Sequence, residues 1–517
     1  MILFCWKAGM NSVIIGGGIV KKCFAVLLVA ALSVVIFAAS DNVLVMAIET
    51  EPVGLDPTLV TAFASHRVLE NVYDGLLKYD ENMNLIPNLA VDFEVVDPYT
   101  IVFEIREGVK FHNGESLTVE DVLFTFERIR DPEVKAPAAT YYGEVESIKV
   151  IEGNKVEFKL KIPMASSLLP NFAGVNSAIL SKSFVESGAN LQLVTNGTGP
   201  FFMVEFIAGN YITLRKNTEY FVEGLPYLSE IKMMIMPEEV TRVSALRNGD
   251  VDLAKISEPL SLRQLPSDRF KIYRTPVLSY YLLGFNTTRG PLSKPEVRNA
   301  LNYAVNREMI VKAVAFDEAT ITGPLNPELD FWALQPNEFE EYTYNPAKAK
   351  QLLTEAGYPN GFEFEIVAAQ RYNFDKVAQV IQAQLAEVGV TAKINIVEWG
   401  IFISKWRESD FDSFISMNSG SIDPDIQFNR TFRTGGSTNV FLYSNPQVDE
   451  LLDSGRSESD LNSRRLIYEE LQKKLVEDSP IIFLYSANTI FASNDSVEGF
   501  RSLANESLVF LRETHKE

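Results

Sequence analysis

Cysteine is almost absent. Only Cys5 and Cys23 occur in 517 residues, and both fall within the first forty. A disulfide framework or a thiolate metal site is therefore excluded for the rest of the chain. Histidine is scarce too: His66, His112 and His515 are all there is. They form no HExxH pattern and no His/Cys ligand spacing, so neither a metal nor another cofactor is expected. No Gly-x-Ser-x-Gly turn is present to mark a nucleophilic serine. A basic surplus is missing as well. Lys and Arg number 47 against 68 Asp and Glu, a formal charge of −21, which argues against nucleic acid as a partner. The acidity reads as solubility. After residue 40 no apolar run reaches the roughly 18 residues of a membrane span, and no internal repeat or low-complexity linker appears.

The first forty residues are different. They carry Lys7, Lys21 and Lys22 and no acid, and Phe24 to Ala39 is apolar apart from Ser33. The run ends in Ala38-Ala39-Ser40, small residues of the kind signal peptidase accepts. Residues 1–40 are therefore expected to be a signal peptide cleaved after Ala39 or Ser40. Delivery to the periplasm or the extracellular space follows, with a retained anchor helix as the competing reading. No cysteine follows the run, so lipid attachment there is not indicated. Residues 1–19 are expected to be an upstream extension. Gly16-Gly17-Gly18 suits a translated ribosome-binding site and Val20 a GTG start.

Helix and strand signals alternate along the remainder, which predicts α/β architecture. Asn42 to Ile48 reads as a strand. Thr118 with Asp121 opens a helix carrying Val122, Phe126 and Ile129 on one face, closed by Pro132. Lys155 to Leu160 alternates like a half-buried strand. A helix announced by Pro295 buries Val297, Ala300, Leu301, Ala304 and Val305. Another begins at Asn345-Pro346 and stops at Gly357. Phe362 to Val367 and Thr391 to Val397 are strands, and a helix between them ends at Gly389. Leu461 to Val476 is a helix, and Ile481 to Tyr485 a final buried strand.

Chemistry has few places to reside. Carboxylate pairs such as Asp423 and Asp425 stay open as acid/base candidates, since such pairs assemble only in three dimensions. A secreted hydrolase is therefore the distant alternative to a binding protein. Trp399 stands just past a strand end, in Val397-Glu398-Trp399-Gly400, where α/β proteins build ligand crevices.

Several segments then resemble one family. They are Glu51-Pro52-Val53-Gly54-Leu55-Asp56-Pro57, Tyr73-Asp74-Gly75-Leu76, Arg106-Glu107-Gly108-Val109-Lys110-Phe111-His112-Asn113-Gly114, Asn196-Gly197-Thr198-Gly199-Pro200-Phe201, Asn248-Gly249-Asp250-Val251-Asp252 and Tyr443-Ser444-Asn445-Pro446. In this order they resemble the family 5 extracellular solute-binding proteins, the receptors of peptide-type ABC importers. The resemblance implies two α/β lobes closing on a ligand, with a small domain inserted in the first. Lobe 1 would be 41–285 plus 487–517, the insertion about 86–195, and lobe 2 would be 286–486. The crossings would lie near Tyr281 to Asn286 and Ile482 to Ser486. It further implies a monomer that captures short peptides, performs no chemistry and delivers them to membrane permease subunits. An oligosaccharide receptor of the same family is the alternative.

The resemblance also suggests site residues. Gln370-Arg371-Tyr372-Asn373 is similar to the dipeptide receptors' stretch whose arginine clamps the ligand carboxylate. Arg371 would be that clamp with Tyr372 beside it, and Trp399 a pocket wall. Glu51 would border the cleft. Asn418 opens the stretch where peptide receptors place an aspartate for the ligand amine, but here that position is Gly420 or Ser421. Asp423 is the compensating candidate, because a buried ammonium without a counter-charge is costly. The family's nickel and haem binders are disfavoured by the shortage of histidine.

Overall fold

A computed structural model describes residues 42–517. The expected signal peptide, the extension 1–19 and both cysteines lie outside the described residues.

Two large mixed sheets carry the architecture. The first contains, in order, Phe270–Pro276, Tyr485–Asn494, Leu253–Ile256, Val43–Ile48, Glu230–Ile235, Tyr211–Lys216 and Phe201–Ile207, with Ala319–Ile321 added alongside Tyr485–Asn494. Its centre is parallel: Val43–Ile48 runs with Glu230–Ile235 on one side and Leu253–Ile256 on the other. The second sheet runs Thr391–Val397, Glu363–Ala369, Ser413–Asn418, Tyr280–Phe285 and Ile481–Phe483. Tyr280–Phe285 is buried along its whole length, which is why the sequence there is apolar without alternation. A single core from Tyr280 to Tyr485 surrounds this sheet. The fold is thus α/β and two-lobed, as expected.

The chain passes between the two sheets twice. It leaves the first after Pro276 and enters the second at Tyr280; it returns at Leu484. The passages are hydrogen-bonded side by side. Val277 donates its N–H to the Ala487 carbonyl at 2.9 Å, and Leu484 donates to the Tyr281 carbonyl at 2.9 Å. The sequence reads 481–485 as one strand. The structure divides it at Leu484, because Ile481–Phe483 and Tyr485–Asn494 belong to different sheets. Residues 481–485 are apolar and buried throughout, so hydrophobicity carries no trace of the division.

A third, antiparallel sheet orders Ala90–Asp97, Thr100–Ile105, Lys155–Leu160 and Val145–Ile151. The helix Val119–Arg130 packs on it with Val122, Phe126 and Ile129 buried. Its start is fixed as the sequence predicts: the Asp121 carboxylate accepts from the Thr118 N–H at 2.9 Å and from its hydroxyl at 2.8 Å. The helix Pro295–Ala304 buries Val297, Ala300, Leu301 and Ala304. Val305, also buried, lies just past its end.

Candidate ligand-binding cleft

The second sheet aligns the ends of its strands. Glu363–Ala369 is parallel to both Thr391–Val397 and Ser413–Asn418, so the carboxyl ends of all three lie at one edge. Tyr280–Phe285 is antiparallel to Ser413–Asn418 and brings its amino end to the same edge, with Tyr280 opposite Asn418. In α/β sheets this edge is where ligand crevices form.

Arg371, Tyr372 and Trp399 come together there. The Arg371 guanidinium lies 4.8 Å from the Trp399 ring centroid and 4.9 Å from that of Tyr372. The two rings meet edge-on at 5.9 Å, and Trp399 stacks on Phe402 at 5.4 Å. The loop before the helix Phe374–Glu387 places Tyr372 and Asn373 in the left-handed region, at φ 54° and 58°. Two consecutive non-glycine residues there are strained, and such strain persists only where the surroundings impose it. Buried Phe374, in ring contact with Tyr281, Tyr372 and Phe402, is that anchor. Trp399 opens the helix Trp399–Arg407, whose cap is the Glu398 carboxylate accepting from the Gly400 N–H at 2.7 Å. Arg371 is exposed, and no carboxylate among the described residues pairs with it. Arg371 and Trp399 line a cavity of 590 Å³ formed by the ends of two strands of the second sheet and the residues that follow them.

The other expected residues stand elsewhere. Asp423 is 2% exposed and caps the helix Pro424–Phe432. Its two oxygens accept from Arg464 at 2.7 and 2.9 Å, and one also takes the Asp425 N–H. With both oxygens occupied and the group buried, Asp423 holds the second lobe together, and the amine-anchor role is not carried forward. Arg464 also donates to the Ser167 hydroxyl at 2.8 Å, tying that lobe to the residues beside the third sheet. The Glu51 carboxylate accepts from the Gly209 N–H at 2.6 Å. Asn418, half-buried at its strand end, lies 3.5 Å from the Tyr280 hydroxyl. Neither residue joins Arg371.

A second cavity, of 380 Å³, is walled by both lobes. From the first come Phe63, Arg67, Lys78, Tyr141 and Glu506; from the second come Gly420, Ile422 and Arg430. Phe63 and Tyr141 are exposed, at 60% and 49%, and offer apolar faces to a ligand. Glu49 joins a charge network here, with Arg67 at 3.2 Å and Lys255 at 3.0 Å; both cations also reach Glu506. Burial pushes the Glu49 carboxyl up, but Lys255 and Arg67 outweigh it and hold the group below the usual range. Burial acts unopposed enough on Glu70 to raise it to about 7, despite hydrogen bonds from Ser507 and the Leu508 N–H. The histidines form no metal set: among the described residues no group of three His, Cys, Asp or Glu is placed to hold an ion.

Residues 84–439 match the family described as bacterial extracellular solute-binding proteins, family 5 Middle. This is well over half of the chain. The chain belongs to this family. It is similar to the glutathione-binding protein GsiB of Pectobacterium atrosepticum, 27% identical over 493 residues and covering 90% of this chain and 92% of the relative. It is 29% identical to the oligopeptide-binding protein AppA of Bacillus subtilis, over 87% of each chain. The structure of AppA with a nonapeptide aligns with a TM-score of 0.65 at 27% identity, over 92% of this chain and 99% of that one. HbpA2 of Haemophilus parasuis aligns with a TM-score of 0.84 at 26% identity, over 92% and 100%. The family and these relatives are binding proteins. Among the described residues of this family 5 chain no helix is long and apolar enough to cross a membrane.

Sequence reasoning missed most of this cavity wall. Phe63, Lys78, Tyr141, Arg430 and Glu506 come from separate segments that only the fold unites. None lies in a motif. Arg430 is the one basic residue of the helix Pro424–Phe432, and no motif marks it in the sequence.

Proposed function

We propose that this chain is the substrate-binding component of an ABC importer that captures short peptides and presents them to membrane permease subunits. It would act as a monomer in the periplasm or outside the cell, and it would bind rather than catalyse. The observation that carries this reading is Arg371: a guanidinium without a carboxylate partner among the described residues, held against two aromatic rings at the edge where three parallel strands end. A planar fork so placed suits the carboxylate of a peptide, which it can grip through two hydrogen bonds. The names of GsiB and AppA point to ligands of the same class.

The arrangement of the lobes supports a capture mechanism. At nearly equal identity the chain aligns better with HbpA2 than with peptide-filled AppA, 0.84 against 0.65. Rotation of one lobe lowers such a score without altering the fold, so we take the described arrangement as one not closed on a peptide. Ligand contacts with both lobes then favour closure, and the closed form is what a permease would read. Exposed Phe63 and Tyr141, together with Trp399, favour the second reading, an oligosaccharide receptor using stacked rings.

Titration calorimetry with Arg371→Ala and Trp399→Ala separates the two. A peptide receptor loses affinity with the first and little with the second. A sugar receptor does the reverse. Turnover of either ligand would mark a hydrolase and overturn both.

A further inference from the structure

The cavity between the lobes holds two cations that no carboxylate among the described residues pairs with. The side chain of Lys78, on the strand Leu77–Tyr79 of the first lobe, makes no hydrogen bond or ion pair among the described residues. The acids whose fields reach it are already committed. Asp74 takes hydrogen bonds from Asn88 at 3.0 Å and Thr198 at 3.2 Å, with Arg512 at 3.5 Å. Glu513 pairs with Arg501. Burial lowers the Lys78 ammonium from its ordinary value, and Arg512 adds to that. Arg430 faces the same cavity from the helix Pro424–Phe432 of the second lobe. One of its nitrogens donates to the Ser419 carbonyl, while its Nε is buried without a partner. A buried donor left open costs stability until something accepts from it. Lys78 also borders an adjoining cavity of 250 Å³ that shares Val509 and Arg512 with the first. This chain carries 68 acidic residues. Among the described residues none of them closes on Lys78 or Arg430, which leaves room for an acid from outside.

We propose that the ligand is an acidic peptide, and that Lys78 and Arg430 together bind its side-chain carboxylate across the cleft, while Arg371 takes a second carboxylate. This deepens the peptide reading and rests on it. Because the two cations come from different lobes, one carboxylate between them draws the lobes together. An acidic ligand is thereby distinguished from a neutral one at the step of closure. The absence of an acid at Gly420 fits the same picture: the cleft is built around negative groups on the ligand more than around its amine.

The test is titration calorimetry on the mature chain with peptide pairs of two to five residues that differ only in Glu against Gln. Wild type is compared with Lys78→Met and Arg430→Met. The expected result is a preference for the Glu peptide of about tenfold or more in wild type, of the size charge-assisted hydrogen bonds supply. That preference collapses to near unity in each variant. Retained affinity for the Gln peptide shows that the variants still fold. Equal binding of the two peptides by wild type, or a preference that survives in either variant, overturns the inference and leaves the peptide reading standing. Failure of every peptide to bind overturns the peptide reading and this inference with it.

Discussion

Gly420 lies against the Leu278 backbone so closely that a Cβ at position 420 would stand 2.0 Å from the Leu278 carbonyl oxygen. Leu278 belongs to the segment that passes between the two sheets. Of the two positions, 420 and 421, where peptide receptors of the family are expected to carry an acid, 420 therefore has no room for a side chain. Gly420→Ala is expected to destabilise the chain by about 1–3 kcal/mol, the usual cost of overpacking a close contact. Gly420→Asp should do at least as much and should not strengthen peptide binding. Urea denaturation and calorimetry read both. An Asp variant that stays stable and binds peptides more tightly would contradict this.

Asp423 and Arg464 form a buried pair at 2.7 Å, both nearly inaccessible to water. Asp423→Asn leaves the arginine charged and short of its partner. The expected loss is about 3–5 kcal/mol in urea denaturation. Ligand affinity of the protein that remains folded should be unchanged. A large affinity loss with little change in stability would instead return Asp423 to the binding site.

Arg371 behaves oppositely. It is exposed and makes ring contacts but no ion pair among the described residues, so Arg371→Ala should change stability by less than about 0.5 kcal/mol. Peptide affinity should fall by about ten- to a hundredfold, and Arg371→Lys should recover only part of it, since lysine lacks the planar fork. Melting temperatures and titration calorimetry on the same samples separate the two effects.

Glu70 gives stability a pH dependence. Its carboxyl titrates at about 7 in the folded chain, raised by burial, against an ordinary value of 4.5. Between these values the folded state holds a proton that the unfolded state has released. The stability this group contributes is therefore complete below about pH 4.5 and is lost as pH rises through about 7, by about 3 kcal/mol in all. Glu70→Gln keeps the shape without the titration. Denaturation at pH 5 and pH 8 should show a decline in wild type that is smaller in the variant by most of that amount. Equal declines would contradict the assignment.

Much of the fold was legible in the sequence for local reasons. Thr118 and Asp121 fix one helix start, Asn345 caps another by accepting from the Lys348 N–H, and Lys155–Leu160 shows its alternating burial directly. These signals act within a few residues. Of the cluster at the sheet edge, Trp399 was legible from its strand end, while Arg371 and Tyr372 were singled out only by the resemblance of Gln370-Arg371-Tyr372-Asn373 to the family's stretch. The cavity between the lobes was not, because Lys78 and Arg430 meet only through the passages at 277–279 and 484. Asp423 misled for the same reason: its partner Arg464 lies on a distant helix, and only burial reveals that the pair is closed.

The most direct test is mass spectrometry of whatever the chain from residue 41 onward carries when purified, released by denaturation. The account predicts short peptides. An empty cleft that is stabilised against heat by oligosaccharides and not by peptides would contradict it.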